Sequence, residues 1–203
     1  MTEKEKMLAG ELYDPNDEQL KKFRIKAHKL CKRYNDCDED DPEREKILDE
    51  LLPSRGKGVF LQGPVYFDYG VFTSLGENFY ANFNFTVLDV CSVSIGDNVF
   101  VGPNVSVLTP KHPLVFEERN VYIGAGGQYT DREYGAPVKI GNNCWIAGNV
   151  TILAGAEIGD GCVIGAGAVV AGKIPDNSLA YGVPCKRVRA ITEADRMIKN
   201  NKR

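Results

Sequence analysis

The sequence predicts a mainly β fold, a solenoid of short strands joined by sharp corners, and two observations carry that prediction. Isoleucine or valine stands at Ile140, Ile146, Ile152, Ile158, Ile164 and Val170, each six residues after the last. A period of 3.6 would specify an amphipathic helix and a period of 2 a half-buried strand, whereas a sustained period of six with small residues between marks a repeat architecture. The same spacing recurs at Ile95, Val101 and Val107 and, more weakly, at Leu75, Ala81 and Val87. The repeat therefore runs from about Leu75 to Ile174, with a gap between its second and third registers.

Within each six-residue unit the position after the aliphatic residue is small, as at Gly96, Gly102, Gly141, Ala147, Gly159, Gly165 and Ala171, with Leu153 the exception. Glycine is expected there because corners demand backbone angles that other residues resist. The fifth position is compact and mostly apolar, at Val99, Val105, Cys144, Val150, Ala156, Cys162, Ala168 and Ile174. This predicts a second inward column. Stacked coils draw their stability from the coils beside them, so both ends need caps.

Residues 1–58 are read as an N-terminal helical segment, 59–190 as the solenoid with an excursion loop at 109–137, and 191–203 as a C-terminal tail. Leu20, Phe23, Ala27, Leu30, Cys31 and Tyr34 share one face of a helix. A second helix is expected from about Pro42 to Leu52, with Asp41 as N-cap and Pro42 in the first turn. The pair would lay its apolar stripes on the first coil and cover an open strand edge. His28 falls on the flank of the first helix and reads as a surface residue. At the other end Gly182, Val183 and Pro184 mark a turn, after which Val188, Ala190 and Ile191 can return as a capping strand before a short polar helix.

Composition bounds the function. The chain has 203 residues, 26% of them charged, and a net charge of −3, which argues against wholesale nucleic-acid binding. No stretch has the length of a membrane span or the form of a signal peptide, so no membrane partner and a cytoplasmic location are expected. Six cysteines without a CxxC pair read as reduced packing residues. The sequons at Asn84, Asn104 and Asn149 read as chance matches. Eight basic and three acidic residues lie between Lys173 and Arg203, either a solvated tail or a contact for an anionic ligand.

Between Thr109 and Pro137 the repeat stops, and the stretch includes Gly124, Ala125, Gly126 and Gly127. Long excursions from rigid scaffolds commonly carry function. This one begins with His112 in TPKHPL, stiffened by Pro113. With His28 in a different context, His112 is the best single candidate for proton transfer near neutral pH.

Several ordered motifs resemble one family. ENFYANFNFTVLD, IGDNVFVGPNV, the loop histidine with its proline, IGNNCWIAGNVTILAGAEIGDGCVIGAGAVV and YGVPCKRVR are similar to the maltose and galactoside O-acetyltransferases, and MLAGELYDP to the maltose branch especially. The resemblance covers nearly the whole chain. It implies a left-handed parallel β-helix, a homotrimer with sites between subunits, and transfer of acetyl from acetyl-CoA to a hydroxyl of a maltose-, glucose- or galactoside-like acceptor, with no metal. His112 would be the general base and Asn82 the residue that orients the acceptor or stabilises the oxyanion, otherwise serving as a corner residue. Asp14, Asp68, Tyr80, Asp89 and Glu133 lie at or next to acceptor-contact positions. The donor would run past Asn82, Gly148, Ala166, Ala171 and Gly172, with Lys186 and Arg189 at its phosphates. Lys173 is offered as a substitute for side-chain donor contacts absent at Ala171 and Gly172, and Trp145 as a packing residue. The galactoside branch has an aspartate where this chain has Val90, which counts against a pure β-galactoside preference. Alternatives are a hexapeptide acetyltransferase for serine, a nucleotide sugar or an antibiotic, and a non-catalytic solenoid. A metal-dependent solenoid would need about three histidines per site.

Overall fold

The solenoid predicted by the repeat is found as a parallel β-helix in the computed structural model, which describes residues 1–124 and 126–198. Ala125 and the last five residues of the expected tail, 199–203, lie outside the described residues. Three parallel sheets form the faces of a prism. The first face stacks Ser54–Arg55, Thr73–Leu75, Val93–Ile95, Val138–Ile140, Glu157–Ile158 and Lys173–Ile174. The second stacks Phe60–Leu61, Tyr80–Ala81, Phe100–Val101, Trp145–Ile146, Val163–Ile164 and Ser178–Tyr181, closed by the antiparallel strand Lys186–Ala190. The third stacks Val65–Phe67, Phe85–Leu88, Ser106–Leu108, Thr151–Leu153 and Val169–Val170.

The aliphatic residues of the repeat meet in register inside the prism. Leu75, Ile95, Ile140 and Ile158 form one column, Ala81, Val101, Ile146 and Ile164 a second, and Val87, Val107, Ile152 and Val170 a third. All are buried. The solenoid starts one coil earlier than the periodicity suggested, because Leu61 and Phe67 pair with Ala81 and Val87. Ile174, read as a fifth-position residue, instead pairs with Ile158 in the first column. The last corner there is shortened.

Glycines after the aliphatic residues have a different cause from the one expected. None of Gly96, Gly102, Gly141, Gly159 and Gly165 has positive φ. They are small because the next coil passes close by: a Cβ on Gly102 would lie 2.6 Å from the Gly148 nitrogen. The left-handed position belongs to asparagine, with Asn98, Asn104, Asn143 and Asn149 at φ of 54°, 59°, 56° and 59°. Their amides form ladders from coil to coil, Asn84 to Asn104 at 2.9 Å and Asn104 to Asn149 at 3.1 Å. The sequon asparagines are thus corner residues.

Three helices precede the solenoid rather than two. Helix α1, Glu3–Ala9, starts from a capping box between Thr2 and Glu5. Helices α2, Glu18–Asp36, and α3, Glu43–Leu51, cover the first coil. Pro42 occupies the cap position of α3, while Asp41 accepts from the Glu43 N–H at 2.8 Å. Tyr34 and Arg44 both donate to the Leu61 carbonyl, at 2.6 and 2.5 Å, satisfying an edge oxygen of that coil. Among the described residues no helix is long and apolar enough to cross a membrane.

Candidate active site

The corner between the third and first faces is larger than the other two. In the early coils it carries two residues beyond the six-residue unit, so equivalent positions such as Glu77 and Asp97 lie 20 apart, against 18 for Asn142 and Asp160. The added residues turn side chains towards helix α1. Met7, Tyr13, Leu20, Tyr69, Val90 and Cys91 make a second small core there. Asp89 lies within this corner and is fully buried. Its Oδ1 accepts from the Tyr69 N–H at 2.8 Å and its Oδ2 from the Thr73 hydroxyl at 3.0 Å. Burial lifts its carboxyl to about 6. Expected as an acceptor contact, Asp89 is instead a staple of the corner, with both oxygens occupied.

The excursion leaves from the same corner, and it is structured. Pro110–Lys111 pairs antiparallel with Tyr134–Gly135, zipping its two ends together. Between them lie the single-turn helix α4, Phe116–Arg119, and the pairing of Tyr122–Ile123 with Tyr129–Thr130. The zipper sets residues 131–133 beside His112. Its Nδ1 lies 3.3 Å from the Arg132 carbonyl oxygen and 3.7 Å from Asp131 Oδ2, and its Nε2 lies 3.9 Å from Glu133 Oε1. The imidazole is half exposed.

Glu133 is held from the N-terminal side. The Tyr13 hydroxyl donates to its Oε2 at 2.6 Å, and the two residues form an isolated antiparallel bridge. Burial raises the Glu133 carboxyl above its ordinary range, against the pull of the Tyr13 bond. Burial likewise raises the Tyr13 phenol, with the charge of Glu133 adding to it. Asp14 accepts from the Thr130 hydroxyl and from the Asn16 N–H, tying the loop to the same segment. Asp68 faces His28 at 3.6 Å and lines a cavity of about 360 Å³ with Cys31, Lys32, Asn35 and Tyr66. Its carboxyl is raised by burial, and its charge contributes to the upward shifts at Tyr13 and Glu133. His112, Asp14, Asp68 and Glu133 are therefore gathered at one edge.

Other expected site residues lie elsewhere. Asn82, Gly148 and Ala166 follow strands of the second face and share the corner between the second and third faces. Asn82 Oδ1 accepts from the Phe83 N–H at 2.7 Å, a corner bond. Tyr80 stacks on the second face between Phe60 and Phe100, with ring centroids 6.1 and 6.2 Å away. Trp145 continues that column but is 54% exposed, so within one chain it is not the packing residue expected. Ala171 and Gly172 form the shortened corner at the far end of the excursion's edge, and a Cβ on Gly172 would meet nothing within 4 Å. Lys186 and Arg189 are exposed on the closing strand, where Arg189 makes a two-pronged pair with Asp195 at 2.7 and 2.8 Å. Lys173 is paired with Glu157 at 2.8 Å.

Sequence reasoning missed Tyr13, Asp131 and the Arg132 carbonyl. The signals were slight: Tyr13 directly precedes Asp14, and Asp131 and Glu133 alternate about Arg132 as strand residues do.

Comparison with known proteins agrees with this fold. Residues 6–56 match the maltose acetyltransferase hexapeptide capping motif, and residues 137–172 match the bacterial transferase hexapeptide of six repeats. Galactoside O-acetyltransferase of Escherichia coli K12 is 38% identical over 193 residues, covering 95% of this chain and 91% of its own. The crystal structure of a maltose O-acetyltransferase from Clostridium difficile 630 superposes with a TM-score of 0.87 at 47% identity, covering 95% of this chain and 99% of that one. A galactoside acetyltransferase in complex with coenzyme A superposes with a TM-score of 0.88 at 38% identity, covering 98% and 97%.

Proposed function

The chain belongs to the maltose and galactoside O-acetyltransferase family, and from that premise we propose that it moves the acetyl group of acetyl-CoA to a hydroxyl of a sugar. The observation that carries this reading is the setting of His112. A carbonyl oxygen only accepts, so the 3.3 Å approach of Nδ1 to the Arg132 carbonyl holds a ring proton on Nδ1 and leaves Nε2 free as a base. Nε2 takes the proton of the acceptor hydroxyl as that oxygen attacks the thioester carbonyl carbon. The C–S bond then breaks, and the imidazolium returns the proton to the departing thiolate. Asp131 stands 3.7 Å from Nδ1, beside the proton that the ring keeps throughout. Asn82 supplies a donor to the tetrahedral oxyanion.

His112 and Asn82 lie on different edges of one prism, so the working site is completed by a neighbouring copy, in a homotrimer. Support comes from the second face, where Phe60, Phe100 and Trp145 stand 37%, 56% and 54% exposed in one continuous column with Tyr80. Such a patch suits self-association. The carboxylates Asp14, Asp68 and Glu133 suit a hydroxyl-rich acceptor, and Lys186 with Arg189 suits the phosphates of the donor.

The test is thiol release from acetyl-CoA with maltose, glucose, galactosides and amino-acid acceptors, run beside His112→Ala. Sugar-stimulated release that His112→Ala lowers by about a hundredfold or more is expected. Release that no sugar stimulates above background hydrolysis would reject the sugar reading, and full activity in His112→Ala would reject the mechanism.

A further inference from the structure

Nε2 of His112 and Oε1 of Glu133 face each other across 3.9 Å. That separation is too long for a hydrogen bond, and with the ring proton on Nδ1 both atoms are acceptors. The gap between them is complementary to a ligand that brings a donor to each. Glu133 has little freedom to close it. Its Oε2 is engaged by the Tyr13 phenol at 2.6 Å, and its backbone is bridged to Tyr13 in both directions, at 2.9 and 3.3 Å. Tyr13 is itself only 3% exposed, locked in the small core with Met7, Leu20, Tyr69, Val90 and Cys91. A rigid, buried phenol therefore sets where Oε1 stands.

We propose that Tyr13 is a positioning residue that fixes Glu133 Oε1 beside His112 Nε2, so that the site reads two neighbouring hydroxyls of the acceptor. One gives its proton to Nε2 and attacks, and the other donates a hydrogen bond to Oε1. The substrate class is thereby narrowed to polyols and sugars in which the acetylated hydroxyl has a hydroxyl neighbour. This rests on the sugar-acceptor reading above. A site built to receive a hydroxyl rejects the analogue that lacks it, because its own acceptor is then left unpaired. Asp131 lies 3.7 Å from Nδ1, the nitrogen that carries the ring proton.

The experiment measures kcat/KM by thiol release for methyl glucoside and the full set of its monodeoxy derivatives, with wild type, Tyr13→Phe, Glu133→Gln and Glu133→Ala. With wild type, one derivative that keeps the acetylated hydroxyl should be roughly tenfold or more poorer than the parent. That penalty should vanish in Glu133→Ala and shrink in Tyr13→Phe, with the KM for acetyl-CoA unchanged in both. Tyr13→Phe retains the buried ring, and Glu133→Gln retains the side-chain volume, so a lost fold is separable from a lost reading. The same penalties in wild type and Glu133→Ala would overturn the proposal. A Tyr13→Phe variant with lowered activity but an unaltered deoxy profile would overturn the role of Tyr13. Acetylation of the parent sugar with no neighbour effect rejects this inference alone, whereas no acetylation of any sugar rejects it together with the sugar reading.

Discussion

His112 and Asn82, the expected catalytic pair, stand on different edges of the same prism: His112 leaves the corner between the third and first faces, and Asn82 turns the corner between the second and third. Two inactive variants should therefore rescue each other. When His112→Ala and Asn82→Ala chains are co-expressed and assemble at random, a site drawing one residue from each of two chains is intact about a quarter of the time, as for any heterologous ring interface. Thiol release near that fraction of wild type is the expected result. Activity no higher than the sum of the two single variants would put the site within one chain.

Donor phosphates should be read by the closing strand. Replacing Lys186 and Arg189 together by alanine is expected to raise the KM for acetyl-CoA by roughly tenfold, and by less for a dephospho-CoA donor. Equal effects on the two donors would contradict a phosphate contact. Because Asp195 holds Arg189 in a two-pronged pair, Asp195→Ala should also raise the KM for acetyl-CoA, by freeing the guanidinium from its place.

Asp89 makes stability depend on pH in a fixed direction. Its carboxyl is lifted by burial from the ordinary 3.8 to about 6. The folded chain thus binds this proton more tightly than the unfolded chain does. The stabilisation is complete below about 4 and is lost as pH rises through 6, a change of about 3 kcal/mol. Thermal unfolding of wild type and Asp89→Asn between pH 4 and 7 checks this. Relative to the variant, wild type should lose stability as the pH is raised, and a flat difference would mean that Asp89 does not titrate there.

Corner asparagines should be more sensitive than their exposure suggests. Asn104 combines a φ of 59° with amide bonds to Asn84 and Asn149. Asn104→Ala is expected to cost roughly 1–2 kcal/mol, and Asn104→Gly less, because glycine keeps the left-handed backbone and forfeits only the ladder. Denaturant unfolding gives both values, and an alanine variant as stable as the glycine variant would remove the conformational part of the argument.

The six-residue period determined the solenoid without help, because every coil repeats the same demand for one large residue inside each face. Ile140, Ile146 and Ile152 fall on three successive faces for that reason alone. The break after Val107 and the histidine that follows it were equally legible. A period reports what points inward, however, and is silent about how far apart the corners lie and what crosses them. That Asp89 is buried as a staple while Glu133 is presented to His112 depends on the pairing of Lys111 with Tyr134 and on Tyr13 arriving from 120 residues away. That His112 and Asn82 lie on separate edges follows from how the chain winds, since residues 30 apart in sequence are set by coil geometry and not by local pattern. Repetition fixed the scaffold; contacts distant in sequence, made where the repetition fails, decided the chemistry at its edge.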